Sequence, residues 1–379
     1  MIFFDEFPAV NKADWLARIA KDLKGKPLAD LTWHPAPGIA ADPFGHADDF
    51  AAAPQVLETV PNNWEICEDV PAADPAKAHV QALEALHFGA EGLRFSFATI
   101  PDDADFATIF QGIYLDFIGL HFAGAAVTEN PGAFLALLQA QAQASGLDPK
   151  TLRGSLAYDP AALSGLHDWR YLADLLAFAE QSFPGFRLIS VDGRSAHTGT
   201  EGVADELAAL LRGGNTYLEQ LSKKGVSPEK TAATMQFTIA VGKSYFLEIA
   251  KIRAFKLLWL NVLKGWGAPL RLPFVEAVFA PAAYSDDLYT NMVRGTTMAM
   301  SAVLGGAARL TVLPYDAERE ALAQYPPQFS RRIARNVQHL LKMESGLHEI
   351  PDAAAGSYYI EQLVGEIARA AWEKFRTHS

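Results

Sequence analysis

The stretch MQFTIAVGKSYFLEIAKIRAFKLLWLNVL, residues 235–263, decides the fold because it joins two kinds of apolar segment. Residues 235–242 form a short β-like run, and the longer apolar segment 244–263 has the length of a helix. Charged residues interrupt the second segment, and no apolar run in the chain approaches the roughly 18 residues that span a bilayer. The stretch therefore predicts a strand followed by a buried globular helix.

The same pairing of strand and helix recurs from about residue 64 onwards. The β-like runs are WEICEDV (64–70), GLRFSFA (92–98), GLHFAGA (119–125), RGSLAYD (153–159), FRLISVD (186–192), MQFTIAVG (235–242), LPFVEAVFA (272–280) and ARLTVLPY (308–315). Alternation of strands with helices is typical of parallel α/β architecture. Eight such units predict a TIM (β/α)8 barrel, with a doubly wound sheet as the alternative. No glycine-rich phosphate fingerprint follows the first strands, which favours the barrel.

The two ends of the chain have a different character. Residues 1–60 hold a helix-like segment, Lys12–Leu23, and then a stretch rich in Pro, Gly and Ala that cannot form a core by itself. The apolar side chains of this segment include Ile2, Phe3, Phe4, Phe7, Trp15, Leu16 and Trp33. We expect an N-terminal arm, residues 1–60, that packs on the barrel domain, residues 61–379, or on a partner. Residues 356–375 predict one amphipathic helix.

Charge and cysteine content exclude several classes of protein. The chain has 44 acidic residues against 32 Lys and Arg, a net charge of −12, so nucleic acid is a poor partner. Cys67 is the single cysteine, which excludes an intrachain disulfide and favours a cytoplasmic location. The first residues lack the basic region of a secretory signal, so we expect no membrane association.

Polar residues just after the predicted strands are the first candidates for a site, because chemistry in such barrels collects at the carboxyl ends of the strands. Asp192 and His197 follow the fifth strand, close enough for a carboxylate to orient an imidazole, although a turn and a packed histidine would give the same pattern. Lys243 follows the sixth strand near a helix N-terminus, where it could bind an anionic substrate or simply be solvated.

Other motifs are absent from the sequence. His121 lies inside an apolar strand, where a lone histidine is more often a hydrogen-bonded core residue than a ligand. No two histidines stand at ligand spacing on one helix, and there is no HExxH, P-loop or GxSxG motif. The sequence therefore predicts no metal site.

Five long segments resemble, in sequence and in order, the methylmalonyl-CoA mutases, adenosylcobalamin-dependent acyl-CoA isomerases with a TIM-barrel domain. They are KSYFLEIAKIRAFKLLW (243–259), LYTNMVRGTTMAMSAVLGGA (288–307), ARLTVLPYD (308–316), RRIARNVQHLLKMESGL (331–347) and DAAAGSYYIEQLVGEIARAAWEKF (352–375). The resemblance covers roughly residues 10–375. It includes catalytic chains and a small-subunit type that pairs with them.

Departures from the catalytic type concern the substrate site. Where catalytic chains carry an Arg-Gln-Tyr segment on the first strand, this chain has Cys67, Glu68 and Asp69. Two acidic groups are unfavourable where a carboxylate substrate and coenzyme A bind, since like charges repel strongly in a desolvated site. The family's Tyr-His pair after the fifth strand is Ala196-His197, which leaves His197 as a vestigial catalytic position.

Further segments of the family differ or are missing. The substrate segment after the second strand is replaced by ATIPDDADF (98–106), and the acyl-CoA segment after the seventh is shortened to APAAYSDD (280–287). None of the ten histidines follows an aspartate by two positions, so the Asp-x-His-x-x-Gly motif of the cobalamin-binding domain is not found. The resemblance thus implies the barrel part of the protein without that domain.

These departures imply the small, non-catalytic subunit of a heterodimeric methylmalonyl-CoA mutase. The resemblance then implies a catalytic large subunit as partner, which holds acyl-CoA and adenosylcobalamin, and no cofactor on this chain. Two alternatives stay open. One is a divergent catalytic acyl-CoA mutase barrel that uses His197 as an acid with a separate cobalamin domain, and the other is an interaction protein for mutase assembly.

The resemblance also implies that the barrel axis of catalytic chains is a coenzyme A channel lined by small hydroxyl residues. Several strands of this chain carry bulky apolar residues instead, notably Leu93, Phe95, Phe97, Phe237, Ile239, Val275, Ala277 and Phe279. Strand alternation turns one set of each run inward. We expect the bulky set to fill the axis, unless Ser96, Ser155 and Ser190 are the inward set.

Overall fold

The protein is a nearly closed barrel of parallel strands surrounded by helices. The computed structural model describes residues 10–54, 56–162 and 168–377. The strands are β1 (Trp33–Ala36), β2 (Ile39–Ala41), β3 (Glu65–Pro71), β4 (Gly92–Ser96), β5 (Gly119–Ala123), β6 (Arg153–Leu156), β7 (Gly185–Arg187), β8 (Ile189–Asp192), β9 (Met235–Val241), β10 (Val275–Phe279) and β11 (Arg309–Thr311).

Helices fill the connections between these strands. They are α1 (Lys12–Asp22), α2 (Pro75–His87), α3 (Asp103–Phe110), α4 (Ala125–Glu129), α5 (Pro131–Ala144), α6 (Trp169–Ser182), α7 (Val203–Ser222), α8 (Pro228–Ala233), α9 (Tyr245–Gly265), α10 (Leu288–Leu304), α11 (Pro327–His339) and α12 (Tyr358–Thr377). None of the helices in the described ranges has the length and apolar character needed to cross a membrane.

The nine strands β3 to β11 form one parallel sheet in the order β7-β6-β5-β4-β3-β11-β10-β9-β8. Only Leu188 separates β7 from β8, so the two ends of the sheet are consecutive in the chain. β7 pairs with β6 and β8 pairs with β9, while the Ser190 amide donates to the Tyr158 carbonyl across the remaining gap (3.0 Å). The fifth β-like run is therefore one barrel strand with a break, and the predicted TIM barrel is confirmed.

The apolar residues that we expected inside the barrel face the surrounding helices instead. Phe95 contacts Phe110 of α3 (ring centroids 5.0 Å apart), and Phe237 contacts Trp259 of α9 (4.7 Å). Their strand neighbours Arg94, Gln236 and Thr238 then point inward, because successive side chains alternate. The expectation of an apolar axis was wrong, since both faces of a barrel strand are buried and apolarity alone does not tell them apart.

The N-terminal segment is divided between the barrel surface and solvent. The β1–β2 hairpin lies on α12, where Ile39 and Ala41 are buried, and Glu58 pairs with Lys256 of α9. In contrast, α1 is amphipathic, yet none of its described side chains is buried. Trp15 of α1 stacks on Phe44, with ring centroids 4.7 Å apart. Ile2, Phe3, Phe4 and Phe7, which we also assigned to the arm, lie outside the described residues.

Candidate functional site

The inward residues of the barrel form a network of charges and hydrogen bonds. Glu276 of β10 lies at its centre, between Arg94 of β4 (3.0 Å) and Arg309 of β11 (3.1 Å). Thr238 donates a third hydrogen bond to the same carboxylate (3.0 Å). Burial by itself raises the pKa of Glu276, but the charges of Arg309 and Arg94 outweigh burial and hold that pKa well below its usual range. The carboxylate is therefore ionised and fully paired.

Arg94 also binds Asp69, one of the residues that stand where the resemblance implies an Arg-Gln-Tyr segment in catalytic chains. The guanidinium donates to both Asp69 oxygens, over 2.6 and 2.7 Å. Glu68, the next residue back, faces the other way and pairs with Arg335 of α11. Only one of the two acidic groups thus enters the barrel, and that group is neutralised by Arg94.

Arg309 connects opposite walls of the barrel. Its guanidinium donates to Gln236 of β9 (3.0 Å) and to Nδ1 of His121 on β5 (2.8 Å), and it approaches Ser155 of β6 (3.4 Å). β6 and β11 lie four positions apart in the ring. The Arg309 side chain therefore extends across the interior, where a channel would run.

His121 is hydrogen-bonded at both ring nitrogens. Nε2 lies 2.6 Å from Glu65, and Nδ1 lies 2.9 Å from Ser155 as well as accepting from Arg309. Burial and the charge of Arg309 lower the pKa of His121. Because Arg309 can only donate, Nδ1 is the accepting nitrogen and Nε2 faces the Glu65 carboxylate. His121 is a hydrogen-bonded core residue, as its position within an apolar strand indicated.

Glu65, Cys67 and His121 bring three possible metal ligands within 4.8 Å of one another. Two observations count against a metal ion there. Both nitrogens of His121 are already engaged, and burial raises the pKa of the Cys67 thiol far above its usual range, which disfavours the thiolate that metals bind. The absence of a metal site stays a prediction of the sequence.

The candidates after the fifth strand have separate partners. Asp192 accepts hydrogen bonds from the Arg194 guanidinium at 2.6 and 3.0 Å, and does so at the mouth of the barrel. His197 instead hydrogen-bonds through Nδ1 to Glu206 of α7, over 2.8 Å. The carboxylate that orients His197 is therefore Glu206 and not Asp192.

Glu206 is the residue of this region that the sequence analysis missed. It is fully buried, accepts from the Ala240 amide (2.8 Å) and pairs with Lys251 of α9 (3.2 Å). Burial alone raises the pKa of Glu206, but Lys251 and His197 together lower it. The signal in the sequence was the position of Glu206, an acidic residue in the first turn of α7 among apolar residues that face the core. Lys243 is exposed just before α9, next to Gly242, which lies beside the His197 ring.

Comparison with known proteins shows which family the sequence matches. Residues 88–378 match the family model described as Methylmalonyl-CoA mutase. The chain is 30% identical to a methylmalonyl-CoA mutase small subunit of Porphyromonas gingivalis, over 98% of this chain and 63% of that protein. It is 32% identical to a small subunit of Streptomyces virginiae, over 98% and 64%, and 26% identical to a large subunit from that organism, over 97% and 56%. The chain thus spans less than two thirds of each relative's length.

The paired state of Glu65 leads to a prediction about acid stability. Burial raises the pKa of Glu65, but His121, Arg309 and Arg153 outweigh it and lower that pKa to about 2. A folded-state pKa below the unfolded value stabilises the protein above about pH 4.5, and the stabilisation is lost as the pH falls towards 2. We expect Glu65→Gln to reduce the free energy of unfolding by roughly 2–3 kcal/mol at pH 6 and by almost nothing at pH 2.

Urea unfolding of both proteins at pH 6, 4.5, 3 and 2 measures this difference. The exposed Glu129 provides the control, because Glu129→Gln should stay within about 0.5 kcal/mol of the parent at every pH. A difference between Glu65→Gln and the parent that does not change from pH 6 to pH 2 would contradict the role given to the Glu65 charge.

Proposed function

The chain belongs to the methylmalonyl-CoA mutase family, and we propose that it is the small, non-catalytic subunit of an adenosylcobalamin-dependent methylmalonyl-CoA mutase. In this proposal the catalytic large subunit binds acyl-CoA and adenosylcobalamin, and the heterodimer interconverts methylmalonyl-CoA and succinyl-CoA. The cofactor supplies the radical chemistry in the large subunit. This chain contributes a folded surface that supports its partner.

The charged barrel interior is the observation that carries the proposal. An acyl-CoA lying along the axis would have to displace Arg94, Glu276 and Arg309 from one another. Breaking a buried ion pair and leaving one charge unpaired costs about 3–5 kcal/mol. The Asp192–Arg194 pair adds a second charged group at the carboxyl-terminal mouth, where a substrate or corrin ring would approach. The residues of this chain therefore do not fit a substrate or a cobalamin.

The state of His197 supports the same conclusion. General acid catalysis needs a proton donor that can reach the reacting group. The His197 side chain is only 8% exposed and is held by Glu206, and the neighbouring family tyrosine is Ala196. We infer that His197 has a structural role, connecting the loop after β8 to α7.

Two further features fit a subunit. The chain resembles both small and large subunits over almost its whole length, so a partner of related fold is available within the family. None of the described side chains of α1 is buried and Leu16 is exposed on its apolar side, which favours a contact with that partner. Cys67 is buried and free, as expected for the reducing cytoplasm that we propose as the location.

Titration of the purified chain with methylmalonyl-CoA and with succinyl-CoA tests the proposal. We expect no heat of binding up to about 1 mM ligand, because each ligand would have to break the interior ion pairs. The co-expressed complex with a catalytic large subunit serves as the positive control and should bind both compounds. One-to-one micromolar binding to the isolated chain would favour the alternative of a divergent catalytic barrel.

Replacement of His197 tests its non-catalytic role in a reconstituted complex. His197→Ala should leave the mutase rate within about threefold of the parent, which is under roughly 0.7 kcal/mol of transition-state stabilisation. His79→Ala, at a histidine on α2 that hydrogen-bonds the Ile109 carbonyl, is the control for loss of an imidazole. A hundredfold lower rate for His197→Ala alone would show that this chain takes part in the chemistry.

Removal of α1 tests the proposed partner contact. A variant without residues 1–26 keeps the β1–β2 hairpin that packs on α12, so its circular dichroism should stay that of a folded barrel. It should no longer co-elute with the large subunit, and Leu16→Glu in the full chain should weaken co-elution in the same direction. Val80→Glu, at an exposed apolar site on α2, is the control. Undiminished co-elution of the truncated chain would refute the role of α1.

A further inference from the structure

The loops that follow β10 and β11 enclose a cavity of about 220 Å³ at the carboxyl-terminal side of the barrel. Its walls include Tyr289, Tyr315 and Tyr325 together with Asp286 and Asp287. We call this cavity the tyrosine–aspartate pocket.

Two of the three tyrosine rings of the tyrosine–aspartate pocket are exposed, while Tyr315 is buried. Tyr289 is 64% exposed and Tyr325 is 51% exposed, and Leu322 beside them is 48% exposed. The Tyr289 hydroxyl lies 3.5 Å from the Gln324 side-chain oxygen, which joins the α10 wall to the wall after β11. Exposed apolar and aromatic groups that adjoin one another indicate a surface for interaction.

The acidic residues around the pocket favour a ligand with a positive charge. The two loops carry five acidic residues, Asp286, Asp287, Asp316, Glu318 and Glu320, against the single base Arg319, so they are acidic overall. Asp287 caps α10 through the amides of residues 289 and 290. The Asp286 side chain is 88% exposed with Arg319 at 3.2 Å, so its carboxylate can still accept hydrogen bonds from a ligand. An anionic ligand would be repelled here.

The size of the pocket limits the ligand further. Sites for whole small molecules or cofactors usually measure about 300–1,000 Å³, and this pocket is smaller. It suits a single extended side chain inserted from another molecule. A planar guanidinium matches the site best, because it can stack on tyrosine faces while donating to a carboxylate, which an ammonium group does less well.

We propose that the tyrosine–aspartate pocket binds an arginine side chain presented by a protein partner. Nucleic acids and anionic membranes do not match the acidic rim, so the partner is a protein with an exposed arginine among apolar residues. Tyr289 and Tyr325 stack on the guanidinium, and Asp286 accepts its hydrogen bonds. The proposal is independent of the subunit role, because it depends only on residues of this chain.

Ligand-observed saturation-transfer NMR on the full chain tests the proposal with two matched compounds. N-acetyl-arginine methylamide carries the guanidinium, and N-acetyl-citrulline methylamide has the same shape without the charge. We expect millimolar binding of the arginine compound, at least about tenfold tighter than that of the citrulline compound. Equal binding of the two compounds, or no binding of either, would overturn the proposal.

Variants then locate the binding on the surface. Tyr289→Ala and Asp286→Asn should each weaken binding of the arginine compound at least about fivefold, whereas Tyr289→Phe, which keeps the ring, should retain it. Tyr114→Ala, at a tyrosine 75% exposed elsewhere on the surface, should change nothing. Unchanged affinity in both Tyr289→Ala and Asp286→Asn would place the binding elsewhere and refute the pocket. Because no mutase partner is present, failure here leaves the subunit proposal untouched.

Discussion

The interior of the barrel depends on the position of Glu276 between Arg94 and Arg309. All three residues are buried, so any one of these charges alone would be a costly unpaired charge. Together they satisfy one another, and the remaining donors of Arg309 then determine which nitrogen of His121 accepts. One carboxylate thus fixes the arrangement of side chains from four strands. Removing it would disturb the whole interior rather than a single contact.

Apolar packing and ion pairs occupy different sides of the barrel strands. Buried ion pairs contribute little net stability compared with apolar packing, because desolvation offsets their attraction. The apolar contacts lie on the outer face of the barrel, between strand residues such as Phe95 or Phe237 and the surrounding helices. Because this packing does not involve the barrel interior, the interior side chains could in principle have bound a ligand. Its polar groups bind one another instead, which is consistent with the proposed role of a supporting subunit.

The sequence predicted the strands well because burial on both faces leaves a continuous apolar run that is easy to recognise. It predicted their orientation badly for the same reason, since an apolar residue fits equally well against a helix or against the barrel axis. The charges of Arg94, Glu276 and Arg309 inside such runs were the informative signal, because a charge there needs partners that only the interior supplies. Glu206 was missed because its contact with His197 depends on how α7 lies against the strands.

The barrel interior and the outer surface differ in how many of their side chains have partners within the chain. Inside the barrel, carboxylates, guanidinium groups and the His121 ring all have partners. On the outside, Leu16 of α1 and the rings of Tyr289 and Tyr325 are exposed. Free energy is gained where unsatisfied groups are covered, so association through the outer surface is more favourable than insertion of a ligand into the interior. This difference supports both proposals, which place the contacts of this chain with other proteins on its outer surface.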